Sequence, residues 1–223
     1  MPLTDLDFCN LAIDKVSGDR IADFSEESPL GVFCAGNWPQ KRAMLLGKYR
    51  WTFANSVRLL AAVTPGANEP RVMAYKFTPP ADLVGAVHAF RDHPDPFSAE
   101  RTLYVLPSDN HFWADEARVY AEYTAARVEA LWPSWFVELA LYAFAADLAA
   151  HTQNRSLQRD YEQKCWGTPS EGGEGGLYAQ ARNEDSRQAP QRQLTSGIDD
   201  GPLVGSRMSG GYSSRMFDHL RGR

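Results

Sequence analysis

The chain has 223 residues, 43% hydrophobic and 23% charged, with a formal net charge of −5. That length suits one domain with appendages or two small domains, and it can bury a core without metals or disulfide staples. It contains no run of about 18 uncharged apolar residues, so no membrane span is expected, and its acidic balance argues against tight non-specific binding to nucleic acid.

The first residues, Met1-Pro2-Leu3-Thr4-Asp5, lack the basic region and apolar core of a signal peptide, so secretion by that route is not expected. Cys9, Cys34 and Cys165 lie far apart, with no CxxC pair and no zinc spacing. They read as free, buried thiols. The charge is uneven. From Arg187 to Arg223 there are six arginines and three aspartates, a net of +3, which leaves −8 on residues 1–186. An acidic body with a basic, Gly/Ser-rich tail points to a tail that docks onto something else.

Thr4 is placed to cap a first helix over residues 4–17, with Leu6, Cys9, Ile13 and Val16 at helical spacing and Ser17-Gly18 as its end. Its stripe reads as core packing. Ser28 with Pro29 opens a second helix that carries Leu30, Phe33, Met44, Leu45 and Tyr49. Pro39 falls inside it, so a kink or a division into two helices is expected there. Residues 56–63 and 71–77 read as strands separated by turn signals. Residues 83–90 are apolar and ambiguous, and residues 91–96 form a loop. Residues 101–106 and 116–124 are expected to pair as a hairpin joined by residues 107–115.

Pro133 opens the strongest helix, running to about residue 153, with an alanine-rich stripe that lets a neighbour approach closely. Further helical pieces are expected at 156–165 and 177–185, interrupted by Gly167-Thr168-Pro169 and the glycine run 172–176. Beyond residue 188 the chain is too polar to build its own core. Yet it carries Leu194, Ile198, Leu203, Val204, Met208, Tyr212, Met216, Phe217 and Leu220 at intervals, with Arg207 and Arg215 among them. This is the pattern of an extended docking arm that orders on a partner.

The chemistry-bearing motifs are missing. There is no HExxH, GxSxG, GxGxxG or GxxxxGK[ST]. His93 stands between Asp92 and Asp95, but without a second histidine nearby, so a solvated loop is the plainer reading than a metal site. Glu26/Glu27, Asp115/Glu116 and Asp199/Asp200 sit in turns or termini and read as solvated faces. Trp113, Trp132 and Trp135 suit either a sugar groove or core and interface anchors, the commoner use. No catalytic, cofactor or metal residue is assigned, and no enzyme is expected.

Several stretches in order resemble the tail tubular protein A family, the head-to-tail adaptors of short-tailed phages. They run from Phe8-Cys9-Asn10-Leu11-Ala12 through Trp51-Thr52-Phe53-Ala54, then Ala74-Tyr75-Lys76-Phe77-Thr78-Pro79-Pro80-Ala81-Asp82 and Val119-Tyr120-Ala121-Glu122-Tyr123. Pro133-Ser134-Trp135-Phe136-Val137-Glu138 follows, then Ser156-Leu157-Gln158-Arg159-Asp160-Tyr161-Glu162-Gln163-Lys164 and Ala181-Arg182-Asn183-Glu184-Asp185. The matching positions Trp51, Phe53, Tyr75, Asp82, Pro133, Phe136 and Tyr161 would be structural. Pro39, the glycine run and the long basic tail depart from the family pattern.

The resemblance implies an α+β, mainly α fold: a helical bundle with a small antiparallel β insertion and an extended C-terminal arm. The expected segments are 1–55 and 126–187 for the bundle, 56–125 for the insertion and 188–223 for the arm. It implies a homo-oligomeric ring of twelve copies beneath the portal protein, which the arm would grip. The ring would extend the channel for double-stranded DNA without binding it specifically, and present a platform to the next tail or nozzle protein. It implies no reaction, no cofactor and no membrane partner, and a location at the head–tail interface of the virion after synthesis in the bacterial cytoplasm. The competing readings are a virion-associated polysaccharide hydrolase using carboxylates and tryptophans near Asp115 and Trp132, and a DNA-end binder using the basic tail.

Overall fold

The structure is a computed structural model that describes residues 3–66, 73–95, 110–188 and the backbone of 104–106. The expected docking arm, from Leu194 to Leu220, lies outside the described residues. Among them are five α-helices and seven short strands, an α+β fold that is mainly α. No described helix is long and apolar enough to cross a membrane.

The helices begin where local chemistry says they should. In α1 (Asp5–Ile13), the Thr4 hydroxyl accepts from the Asp7 amide, and the Asp7 carboxylate accepts from the Thr4 amide. Such reciprocal capping satisfies two donors the helix cannot and contributes about 1 kcal/mol. The helix is shorter than the expected 4–17. After Ile13 the bonds tighten to three-residue turns, Lys15 to Ala12 and Val16 to Ile13, and Gly18 at φ +78° turns the chain away.

Ser28 caps α2 (Pro29–Gly47), with Pro29 in its first turn. The helix passes through Pro39 as one element rather than two. Pro39 and Ala35, whose carbonyl loses its partner, are both exposed, so water can take up the orphaned acceptor. Pro133 precedes α3 (Ser134–His151), which touches the other four helices. Asn154 caps α4 (Arg155–Trp166), and α5 (Gly176–Gln188) follows a tight glycine turn. Gly176 adopts φ +58°, and a Cβ there would strike the Lys164 carbonyl, so only glycine lets α5 start against the end of α4.

The bundle core holds Phe8, Trp38, Leu45, Trp51, Phe136 and Phe144, all essentially out of water. Cys9, Cys34 and Cys165 are free and buried there. Burial pushes the Cys165 thiol up to about 12.

The strands form two antiparallel sheets with a second core around Phe77, Phe112 and Tyr123. The expected strand over 56–63 is two strands. β1 (Asn55–Leu59) pairs with β7 (Tyr120–Ala125), while β2 (Ala61–Val63) pairs with β3 (Tyr75–Thr78). Leu60 is the hinge between them. Its side chain turns into the core and its amide donates to the Val119 carbonyl, so one run of chain feeds both sheets.

The ambiguous stretch is β4 (Leu83–Arg91), a bulged edge partner of β7. The expected 101–106/116–124 hairpin is corrected. β5 (Tyr104–Leu106) pairs instead with β6 (His111–Ala114), inside the stretch read as a connector. β7 belongs to the other sheet, central between β1 and β4. Alternation along a strand shows which face is buried but not which strand lies beside it.

Candidate functional site

Three of the positions singled out in the sequence, Trp51, Phe53 and Phe136, converge in the bundle. Trp51 is fully buried between the end of α2 and a 3-10 turn, Thr52–Ala54. Its indole N–H donates to the Leu45 carbonyl at 2.9 Å. Phe136 from α3 meets it edge-on at 5.0 Å, Phe53 lies 4.9 Å from Phe136, and Tyr178 from α5 meets Trp51 at 6.1 Å. Pro133 sets the start of α3 that delivers Phe136. Thus residues more than 80 positions apart in sequence form one aromatic hub.

A carboxylate latches α5 to this hub. Asp185 is buried, and its oxygens accept from the Thr52 amide at 3.0 and 3.1 Å and from the Thr52 hydroxyl at 2.7 Å. Burial raises the Asp185 carboxyl above its ordinary 3.8, and the bonds from Thr52 offset only part of that. A raised carboxyl makes the folded state take up its proton first. The cost of the buried charge is therefore relieved as pH falls through the folded value towards 3.8. Urea unfolding of Asp185→Asn should show this: the stability of the wild type relative to the variant is expected to rise between pH 7 and pH 4. A constant difference would contradict it.

The remaining motif positions do other work. Tyr161 on α4 donates its hydroxyl to the Lys15 carbonyl and meets Tyr142 edge-on, holding α4 to the turn after α1. Asp82 accepts from the Tyr123 hydroxyl at 2.8 Å and faces Arg58, bracing the start of β4. Tyr75 on β3 is 41% exposed and stands apart from the hub.

Sequence reasoning missed the charged joint under the three-stranded sheet. Glu122 on β7 is 2% exposed. It accepts from Arg91 at 3.0 Å, from Asn55 at 2.9 Å and from Arg50, which immediately precedes the hub. Burial alone would raise this carboxyl. The bonds from Asn55 and Arg91 and the charge of Arg50 overcome that and hold it below its usual range. A charged residue between Ala121 and Tyr123 in the middle of a strand was the available signal. The Arg91–Glu122 pair braces the sheet out of solvent, and the half-exposed Arg50 ties it to the bundle.

The structure also opens a groove of about 600 Å3 between α3, α4 and the turn before α5. Ala143, Ala146 and Trp166 line it, with the Lys41–Asp147 ion pair and Arg159 among its polar groups. No histidine or cysteine lines it. Its lining mixes apolar with charged groups. The tryptophans considered for a sugar groove are packing groups instead. Trp113 is fully buried, and Trp132 donates to the Arg127 carbonyl from the bundle core. Asp115 accepts the Ala74 amide at 3.2 Å. Among the described residues, no group of three or more His, Cys, Asp or Glu side chains is placed to hold a metal ion. No protein-family model matches the chain, and no curated protein matches it.

Proposed function

We propose that the protein is a structural head-to-tail adaptor of a tailed phage virion. Copies of it form a ring beneath the portal, continue the DNA channel and offer the attachment platform for the next tail protein. The observation that supports this most is the hub. Three of the stretches that carry the family resemblance, around Trp51, Phe136 and Asp185, lie far apart in sequence and pack against one another. These pieces thus share one packing unit of the fold. The acidic body suits a channel that DNA must slide through, because a wall of that charge releases few counterions and holds the duplex weakly. The basic arm would grip the portal, with Arg207 and Arg215 meeting acidic surface and Tyr212, Met216 and Phe217 filling shallow pockets.

The test is native mass of the full chain mixed with the portal ring from the same source. A discrete complex with one chain per portal subunit is expected, and removal of residues from Leu194 onward should abolish it while leaving the body folded. Absence of any complex, or normal assembly of the shortened chain, would overturn the proposal.

A further inference from the structure

We propose that Cys9 and Cys34 are the two halves of a reversible disulfide clamp between α1 and α2. The clamp is independent of the ring reading and needs neither a portal nor a second copy. The two helices lie face to face and antiparallel. Asp5 of α1 pairs with Arg42 of α2 at 3.2 Å, and one turn further on the Phe8 ring stacks on Trp38 at 4.1 Å. Cys34 precedes Trp38 by four residues and so shares its face, while Cys9 adjoins Phe8. Both cysteines are fully buried in the same core. Their contact is direct, with the Cys9 thiol donating to the Cys34 sulfur. Ala12, one turn from Cys9 and also fully buried, adds no bulk that would hold the helices apart. Thiols already in hydrogen-bond contact need only a small approach to form an S–S bond.

Cys34 is the sulfur that reacts first. The bond from Cys9 holds the Cys34 thiol below its ordinary 9.0, and the same bond together with burial pushes Cys9 up. The oxidant is a peroxide, small enough to enter a core. The Cys34 thiolate attacks one peroxide oxygen, the O–O bond breaks, and the other oxygen leaves as hydroxide and takes up the Cys34 proton to become water. The Cys9 sulfur then attacks the sulfenic sulfur of Cys34. The S–O bond breaks, and the hydroxyl leaves as water with the Cys9 proton. Two thiols and one hydrogen peroxide thus become one disulfide and two waters, with two electrons passing from sulfur to oxygen. Access comes through α1. Its nine residues are too few to stay helical without their packing, so local undocking of α1 admits the oxidant.

The third cysteine stands outside the pair. Cys165 lies on α4, with its thiol directed at the Leu139 carbonyl of α3 at 3.9 Å. Burial pushes it up, and the groups that act on it are Lys41, Lys164, Asp147 and Glu162 rather than a second thiol. It is a packing group. Joining Cys9 to Cys34 closes a loop of about 25 residues, and the freedom this removes from the unfolded chain stabilises the folded one.

Mild hydrogen peroxide treatment of the folded full chain, followed by alkylation in urea and peptide mass spectrometry, reads the bond directly. All three thiols should alkylate before oxidation. After it, Cys165 alone should alkylate, and Cys9 and Cys34 should appear in one cross-linked peptide pair. The melting temperature is expected to rise by about 5–10 °C and to return with dithiothreitol. Oxidation of the urea-unfolded chain should give mixed pairings, so a single pairing in the folded chain reports its geometry. Three free thiols after oxidation, a bond to Cys165, the same mixture from folded and unfolded chain, or a melting temperature that does not rise would overturn the inference.

Discussion

Trp51→Ala is expected to cost about 3–5 kcal/mol of folding stability, enough to leave a marginal domain largely unfolded at 25 °C. The indole is fully buried and is the common neighbour of Tyr49, Phe53, Trp135, Phe136 and Tyr178. Truncation leaves a void that five rings from four segments cannot all collapse into at once, since each is held by its own backbone. It also strips the Leu45 carbonyl of the indole donor near the end of α2. Trp51→Phe separates these contributions. It keeps most of the apolar volume and loses the bond, so a loss of about 1–2 kcal/mol is expected. Urea midpoints of the two variants measure both. If Trp51→Ala unfolds at the wild-type midpoint, the hub does not hold the bundle together.

The hub also shows how far the sequence reaches. Helix starts were legible because their causes are local: Thr4 and Asp7 are three residues apart, and Ser28 adjoins Pro29. That residues 116–124 hold a strand was legible as well, and β7 (Tyr120–Ala125) lies largely within them. What surrounds a strand was not. His111–Ala114 is a strand because β3 and β5 flank it, and Leu60 breaks a strand because two sheets meet there. The β3 pairing and the Leu60–Val119 bond reach across tens of residues, where loop closure and packing decide among registers that local pattern leaves equal. Trp51, Phe136 and Tyr161 were singled out by resemblance, and each proves to be a packing or bracing group. The Asp185 latch was named only as the end of a motif, since its partner Thr52 lies 133 residues away. The groove beside α4 had no sequence signal beyond glycines that break the helix.

Glu122→Gln is the second large effect, expected to cost about 3 kcal/mol at pH 7. The substitution preserves shape but replaces an ionised acceptor of two guanidinium groups with a neutral amide, one end of which is itself a donor. Burial forces the consequence. Glu122 is 3% exposed at its side chain and Arg91 only 6%, so water cannot restore what the carboxylate supplied to Arg91, whereas the half-exposed Arg50 can turn to solvent. The pH dependence gives a separate signature. The folded carboxyl titrates below its ordinary 4.5, so the unfolded chain binds the proton first. Its contribution is fully present above the unfolded value and is lost as pH falls through the folded one. The stability gap between wild type and Glu122→Gln should therefore be widest near neutrality and close as pH falls below 4.5 through the folded value. Denaturant midpoints at several pH values read this directly. A gap that is small at pH 7, or that widens in acid, would mean that Arg50 and Arg91 orient the sheet without needing the charge of Glu122.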